Sequence, residues 1–178
     1  FTLRELQTIQ DAFAAATGVA SIITDIDGIP LTEPSNFCHL CSGIIRKTEK
    51  GLQNCMYSDA SLGTPALDGP RMQRCLSAGL FDGGASIMIG ERHVANWLIG
   101  QVLDDETQVG QILEYCDAIG ADRREVTEAL KSVKRMPKAQ FQDICAFLFL
   151  MARQMSQLAL NNYLKTQEIQ RREWAENK

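Results

Sequence analysis

The chain has 178 residues, of which 45% are hydrophobic and 22% are charged, and its formal net charge is −4. This composition is typical of a globular protein, and the lack of a cluster of Lys and Arg side chains argues against direct binding to nucleic acid. No apolar run approaches the roughly 20 residues that span a bilayer, and no signal peptide is visible, so we expect a cytoplasmic protein without membrane contact. Because the chain begins at Phe1 rather than Met, we also expect it to be part of a longer protein.

The first predicted elements are an amphipathic helix and a hairpin. Apolar side chains recur at helical spacing over residues 2–17. The β-branched run VASIITD follows, and Asp27-Gly28 after it is a typical hairpin turn. Pro30 predicts that the second strand of this hairpin is short or lies at an edge.

The middle of the chain predicts two short helices and three strands. Helical periodicity is present in FCHLCSGIIRK and in GLQNCMYSDASLG, and RMQRC is a candidate strand. The clearest β signal is GGASIMIGERHVANWLIGQVL, in which two apolar runs flank a turn at Gly90-Glu91-Arg92.

The last third of the chain predicts helices, of which the last runs from Lys138 toward Lys178 without Gly or Pro. Fully helical, it is about 60 Å long, whereas a domain of this size has a radius of gyration of about 16 Å, so it cannot pack on its own domain throughout. A coiled-coil seam is predicted along it, with Asn162 at the next seam position. Its apolar positions are Phe141, Ile144, Leu148, Met151, Met155 and Leu158. Two interpretations remain open: a core helix with a frayed end, or a connecting helix that pairs with its copy in a homodimer and carries a signal.

The order of these elements predicts a single α+β domain over residues 1–160, with an antiparallel sheet flanked by helices as in a PAS-like or GAF-like sensor core. Residues 161–178 are predicted to form a connecting helix toward an output domain downstream.

Four of the six cysteines are candidate metal ligands. Cys38 and Cys41 form a C-x-x-C motif, which supplies two sulfur ligands from one turn, and Cys55 and Cys75 follow. Zinc and iron–sulfur clusters prefer such soft ligands, although the spacing is not that of a zinc ribbon. Burial as small apolar side chains and pairing in disulfides remain open as alternatives.

Other residues have less specific patterns. Tyr57 and Trp97 are candidates for the wall of a ligand cavity, whereas Cys116 and Cys145 are predicted to be core residues because apolar neighbours surround them in helical patterns. No nucleophile, general base or phosphate-binding loop is recognisable, so we do not expect an enzyme.

Several segments together resemble the PocR sensory domain family over roughly residues 5–160. They are FCHLCSGIIRKTEKGLQNC, the Ser58-Asp59 after it, CLSAGLFDGGASI and HVANWLIGQV, in the order of that family. The resemblance implies a PAS-like domain that binds a small organic ligand and precedes the output of transcription regulators, histidine kinases and other signalling proteins. It places family motif positions on Cys38, Cys55, Cys75, Gly79, Leu80, Gly100 and Gln101, with Cys41 as an additional thiol.

The resulting hypothesis is a sensory domain whose ligand-binding residues are Tyr57, Trp97 and Gln101. A small organic ligand, or a zinc or iron–sulfur centre on Cys38, Cys41, Cys55 and Cys75, occupies a cavity beside the sheet, and the terminal helix transmits its presence. Two alternatives remain open: a redox or iron–sulfur sensor whose centre is itself the signal, and a structural dimerisation module.

Overall fold

A computed structural model describes residues 1–176, and a five-stranded sheet lies at its centre. Four antiparallel strands lie in the order β1-β4-β3-β2, and a short fifth strand pairs in parallel with the end of β4. The strands are β1 (Ala20–Thr24), β2 (Arg71–Arg74), β3 (Phe81–Ile89), β4 (Arg92–Leu103) and β5 (Lys134–Arg135). The helices are α1 (Leu3–Thr17), α2 (Glu49–Leu62), α3 (Val109–Ala118), α4 (Arg123–Leu130) and α5 (Lys138–Glu176).

The predicted α+β fold, with a PAS-like antiparallel sheet and a long C-terminal helix, is therefore confirmed. The β3–β4 hairpin has its turn at Gly90-Glu91, where Gly90 has a φ of 62°, a value that glycine adopts without strain. No helix within residues 1–176 is long and apolar enough to cross a membrane. The last two residues of the predicted terminal helix, 177 and 178, lie outside the described part of the chain.

Two predicted elements take a different form. The hairpin after β1 is reduced to two isolated bridges, Thr24 with Pro30 and Ser21 with Ser35, because proline has no N–H with which to continue a strand ladder. The helix predicted over FCHLCSGIIRK is a π-helical turn at Leu40–Ile44 followed by a 3-10 turn at Ile45–Lys47. π-helical turns are rare in proteins, and those that occur often lie at functional sites.

The sheet carries a hydrophobic core on each face. The larger core joins α1 and α5 to the sheet around Phe13, Trp97 and Phe141. The other side holds a second core under α3, α4 and the π-helical turn, and Ile22, Leu62 and Leu98 pack together nearby. Cys145 belongs to the first core and Cys116 to the second, so the prediction that both are core residues is confirmed.

Helix α5 divides into a packed half and an exposed half. Phe141, Cys145, Leu148, Ala152 and Met155 are buried against the sheet, so the first half of the predicted seam cannot also face a second copy. Beyond residue 160, every described residue of the helix is exposed except Glu168, which is half-buried.

Gly83 and Gly84 in β3 allow helices to approach the sheet from both faces. A Cβ atom on Gly83 would collide with the Sγ atom of Cys145 in α5. A Cβ atom on Gly84 would lie 2.8 Å from the carbonyl oxygen of Leu62 in α2, which is closer than atoms of two residues pack. A larger residue at Gly84 must therefore displace the backbone of α2, whereas a larger residue at Gly83 must displace the Cys145 side chain.

We expect Gly84→Ala to lower the free energy of unfolding by about 1–3 kcal/mol, because the added methyl group pushes against the backbone of α2. Gly110→Ala is the matched control: Gly110 lies in α3 with no neighbour within 4 Å of an added Cβ, so alanine is expected to stabilise the protein by up to about 1 kcal/mol. Urea unfolding of both variants measures the difference. Equal stability of the two variants would contradict the close packing of α2 on β3.

Candidate ligand-binding site

A cavity of about 40 Å³ lies between the sheet, α2 and the π-helical turn. Its wall contains both apolar and polar residues. The apolar residues include Ile22, Phe37, Leu62, Leu80 and Leu98, and the polar ones include Arg46, Ser58, Asp59, Ser77, Asp82 and Gln101. A small number of polar groups in an apolar wall is typical of sites that orient a small ligand.

A β-bulge shapes the floor of the cavity. Phe81 pairs with Val102 and Gly83 with Ile99, so Asp82 of β3 stands opposite two residues of β4, Gly100 and Gln101. Gly100 is required here, because a Cβ atom would lie 2.8 Å from the Cα atom of Asp82 and still closer to its carboxylate. The bulge thus brings the Asp82 side chain against the β4 backbone.

Gln101 connects the bulge to the π-helical turn. Its backbone N–H donates to the Asp82 Oδ1 atom at 2.8 Å, and its side-chain Oε1 atom accepts from the N–H of Cys38 at 2.7 Å. Gln101 has a φ of 58°, in the left-handed region that residues other than glycine seldom adopt. Residues held in this conformation cluster at functional sites, where the surrounding contacts offset the strain.

Arg46 forms a partly buried ion pair beside the cavity. Its Nη2 atom lies 2.9 Å from the Asp59 Oδ2 atom, and its guanidinium stacks over the ring of Phe37 at 5.1 Å. The Nε atom of Arg46 is buried and has no hydrogen-bond partner within residues 1–176. A buried donor without a partner is costly, so a hydrogen-bond acceptor placed in this cavity would be stabilised there.

Asp82 differs from an ordinary surface carboxylate. Burial raises the pKa of its carboxyl group to about 8, and the nearby charge of Asp59 acts in the same direction, whereas the N–H of Gln101 and the charge of Arg46 oppose the shift. Asp82 is therefore largely protonated at neutral pH. A protonated carboxyl group can donate a hydrogen bond as well as accept one.

The four candidate cysteines lie on two sides of one wall. Cys41, Cys55 and Cys75 line the cavity, whereas Cys38 lines a groove on its outer side together with Gln101 and Lys134. Burial raises the pKa of the Cys75 thiol to about 12 and also raises the pKa of Cys55. A hydrogen bond from the Cys41 thiol lowers the pKa of Cys38 to about 7, and the same contact raises the pKa of Cys41.

The predicted metal centre receives no support from this arrangement. Within residues 1–176, no three side chains of His, Cys, Asp or Glu are grouped so as to hold a metal ion. The cysteines converge on one wall, but they do not form a ligand set, so zinc or an iron–sulfur cluster stays a prediction.

Two of the three predicted ligand-binding residues lie away from the cavity. Tyr57 is 71% exposed on the outer face of α2. Trp97 is fully buried in the core on the α5 side, where its Nε1–H donates to the Ser21 hydroxyl at 2.9 Å. Gln101 does line the cavity, although whether any of the three binds a ligand stays a prediction.

Arg46 and Asp82 were not predicted from the sequence, and Asp59 was noted only as part of a motif. One signal was present for Asp82: a carboxylate in the apolar strand FDGGASI, directly before two glycines, needs a polar partner inside the fold. No comparable local signal marks Arg46, because its partner Asp59 lies on a different helix.

Comparisons with known proteins identify a family and a relative. The model of a family described as the sensory domain found in PocR matches residues 1–160. The regulatory protein PocR of Salmonella typhimurium strain LT2 is 30% identical over 165 residues, which are 91% of this chain and 51% of that protein. The chain thus spans about half the length of the curated relative that it matches. No solved structure is a significant match.

We expect the pH dependence of stability to identify Asp82. Its pKa in the folded protein lies above that of the unfolded chain, so its stabilising contribution is complete below about pH 4 and is lost as the pH rises through about 8. Between pH 5 and pH 8.5, the free energy of unfolding of the wild type should fall by about 3–4 kcal/mol more than that of Asp82→Asn.

Urea unfolding at several pH values measures this difference. Asp68→Asn, at an exposed position of a loop, is the control and should keep the wild-type profile. Parallel profiles for the wild type and Asp82→Asn would show that Asp82 is ionised in the folded protein throughout this range.

Proposed function

The chain belongs to the family of sensory domains found in PocR, and from this membership we propose that it binds a small, neutral organic molecule in the cavity between α2 and the sheet. The observation that carries the proposal is the buried Nε atom of Arg46, which lacks a partner within residues 1–176 and belongs to a residue of the cavity wall. We propose a sensory role without catalysis.

The size of the cavity limits the ligand. A single water molecule needs about 10–15 Å³ of such space, so a cavity of about 40 Å³ holds a molecule of roughly three to four non-hydrogen atoms. Leu62, Leu80 and Leu98 favour an apolar portion, and the Nε atom of Arg46 favours an acceptor such as a carbonyl or hydroxyl oxygen.

The charges around the cavity favour a neutral ligand. Arg46 is already paired with Asp59, Asp82 is largely protonated at neutral pH, and the raised pKa values of Cys55 and Cys75 keep those thiols neutral. An additional buried charge would have no partner, and a buried charge without a partner is strongly unfavourable.

Strand β3 connects the cavity to helix α5. Asp82 lines the cavity, whereas the residues on either side of it contact α5: the Phe81 ring lies 5.0 Å from the Phe141 ring, and Gly83 lies under Cys145. A ligand that shifts Asp82 therefore shifts the surface on which α5 packs. The resulting change of α5 can be no larger than the difference in ligand affinity between its two positions.

We propose that the exposed half of α5 pairs with a second copy of the chain. The second half of the predicted seam continues beyond the packed region as Leu158, Asn162, Lys165 and Ile169, and these four residues are exposed. A helical segment of about 16 residues is marginal in water by itself, and two exposed apolar side chains on one face favour a partner helix. By analogy with the regulatory relative, the pair would transmit the signal to an output region of the full-length protein, either a histidine kinase or a regulator.

A panel of small molecules tests the ligand proposal. It contains alcohols, ketones and amides of roughly three to four non-hydrogen atoms together with carboxylic acids of the same size, and binding is measured by the Tm of the chain. We expect a neutral compound to raise the Tm by about 5 °C at a hundredfold excess over its Kd. Ala20→Val fills the cavity from β1 and should abolish the shift.

Ala85→Val is the matched control, because Ala85 is equally buried but faces the core on the α5 side. This variant should keep the ligand-induced shift even if its own Tm is lower. Binding of carboxylic acids in preference to neutral compounds, or an equal shift in Ala20→Val, would contradict the proposed site.

The molar mass of the chain tests the pairing of α5. We expect a dimer for the wild type and a monomer for the double variant Leu158→Glu/Ile169→Glu, because like charges would then face each other across the seam. Leu67→Glu, at a loop position that is 94% exposed, is the control and should remain dimeric. Light scattering after size-exclusion chromatography measures the mass, and a monomeric wild type would contradict the pairing.

A further inference from the structure

Cys38 and Cys41 are held together by the backbone of one helical turn. The N–H of Cys41 donates to the carbonyl of Cys38 at 3.1 Å, and the N–H of Ser42 donates to the same carbonyl at 3.0 Å. Residues three apart in such a turn occupy neighbouring positions, so the two thiols can approach each other. The pair thus has the C-x-x-C spacing, on one helical turn, that disulfide oxidoreductases use.

The two thiols differ in accessibility. Cys38 is half-buried and lines the outer groove, whereas Cys41 is buried and lines the ligand cavity. Ala20, Phe37 and Gln101 line both spaces and form the wall between them. A small reagent from solvent therefore meets Cys38 first, and Cys41 is the buried partner.

We propose that Cys38 and Cys41 form a redox-active dithiol, which a peroxide closes to a disulfide in the wall of the cavity. This site is separate from the ligand proposal, because its chemistry requires no ligand. It gives the domain a second input that acts on the same wall.

The reaction consumes one molecule of peroxide. Cys38, as the thiolate, attacks one peroxide oxygen, the O–O bond breaks, and Cys38 becomes a sulfenic acid. The other oxygen leaves as hydroxide and takes up a proton from solvent to become water. The Cys41 sulfur then attacks the Cys38 sulfur, the S–O bond breaks, and the leaving hydroxide takes up the Cys41 proton as a second water. Two thiols are oxidised by two electrons in total, and the peroxide is reduced to two waters. A small dithiol reverses the step by thiol–disulfide exchange.

The disulfide would act on the ligand cavity through Gln101. The N–H of Cys38 donates to the Gln101 side chain at 2.7 Å, and the N–H of Gln101 donates to Asp82 at 2.8 Å. Drawing the Cys38 sulfur toward Cys41 moves the residue that anchors the Gln101 side chain. Oxidation should therefore alter the position of Asp82, which lies in the cavity wall.

Peptide mass spectrometry tests the dithiol. The reduced chain is treated with hydrogen peroxide, its remaining thiols are alkylated, and the peptide that contains Cys38 and Cys41 is weighed. We expect that peptide to lack two hydrogen atoms and both alkyl groups, and dithiothreitol to restore alkylation. In Cys41→Ser, Cys38 should instead be trapped by dimedone as a sulfenic acid. Cys116→Ser removes a fully buried thiol elsewhere and should leave the disulfide unchanged.

Two results would overturn the proposal: full alkylation of both residues under peroxide that oxidises free glutathione, or a disulfide from Cys38 to Cys55 or Cys75. Ligand binding is measured separately, as the change in the Tm of the reduced chain with each compound of the small-molecule panel. Ligand binding without the disulfide would reject only the dithiol, and a disulfide without ligand binding would reject only the ligand site.

Discussion

The hydrogen bonds of Gln101 hold the candidate site together. Its backbone N–H binds Asp82 on β3, and its side chain binds the N–H of Cys38 at the start of the π-helical turn. Both bonds depend on the bulge at Gly100, which allows β4 to contact the Asp82 side chain and places Gln101 at a positive φ. The cavity, the ion pair of Arg46 and the cysteines all lie around this one connection.

Strand β3 contributes a polar side chain to the cavity on one face and an apolar surface to α5 on the other. On one face of β3, Asp82 contributes a polar group to the cavity, and on the other face Phe81 and Gly83 form a dry contact with α5. Close-packed cores transmit displacement rather than absorb it. Under the proposed function, the domain would need no separate relay between its cavity and its terminal helix.

Much of the fold could be predicted because its signals are local. The β3–β4 hairpin follows from two apolar runs around Gly90, and α5 follows from a long segment without Gly or Pro. The site could be predicted only in part, because it depends on which face of each element is buried. The alternating pattern of β4 does not indicate that Trp97 faces α5 while Leu98 faces the cavity. Likewise, no sequence feature near Arg46 indicates that Asp59 is its partner. The seam along α5 was periodic throughout, yet its first half packs on the sheet, because a helix that covers a sheet uses the same spacing as a helix that meets a second helix.

The free length of α5 gives the domain a mechanical property. Residues 160–176 extend about 24 Å past the last packed turn, at about 1.5 Å per residue. A tilt of about 5° where the helix packs on β3 would move the far end of the helix by about 2 Å. The helix would therefore enlarge a displacement that is too small to repack a hydrophobic core. Paired with a second copy as proposed, an arm of this length would convert a small shift beside Asp82 into a larger movement at the far end of the helix.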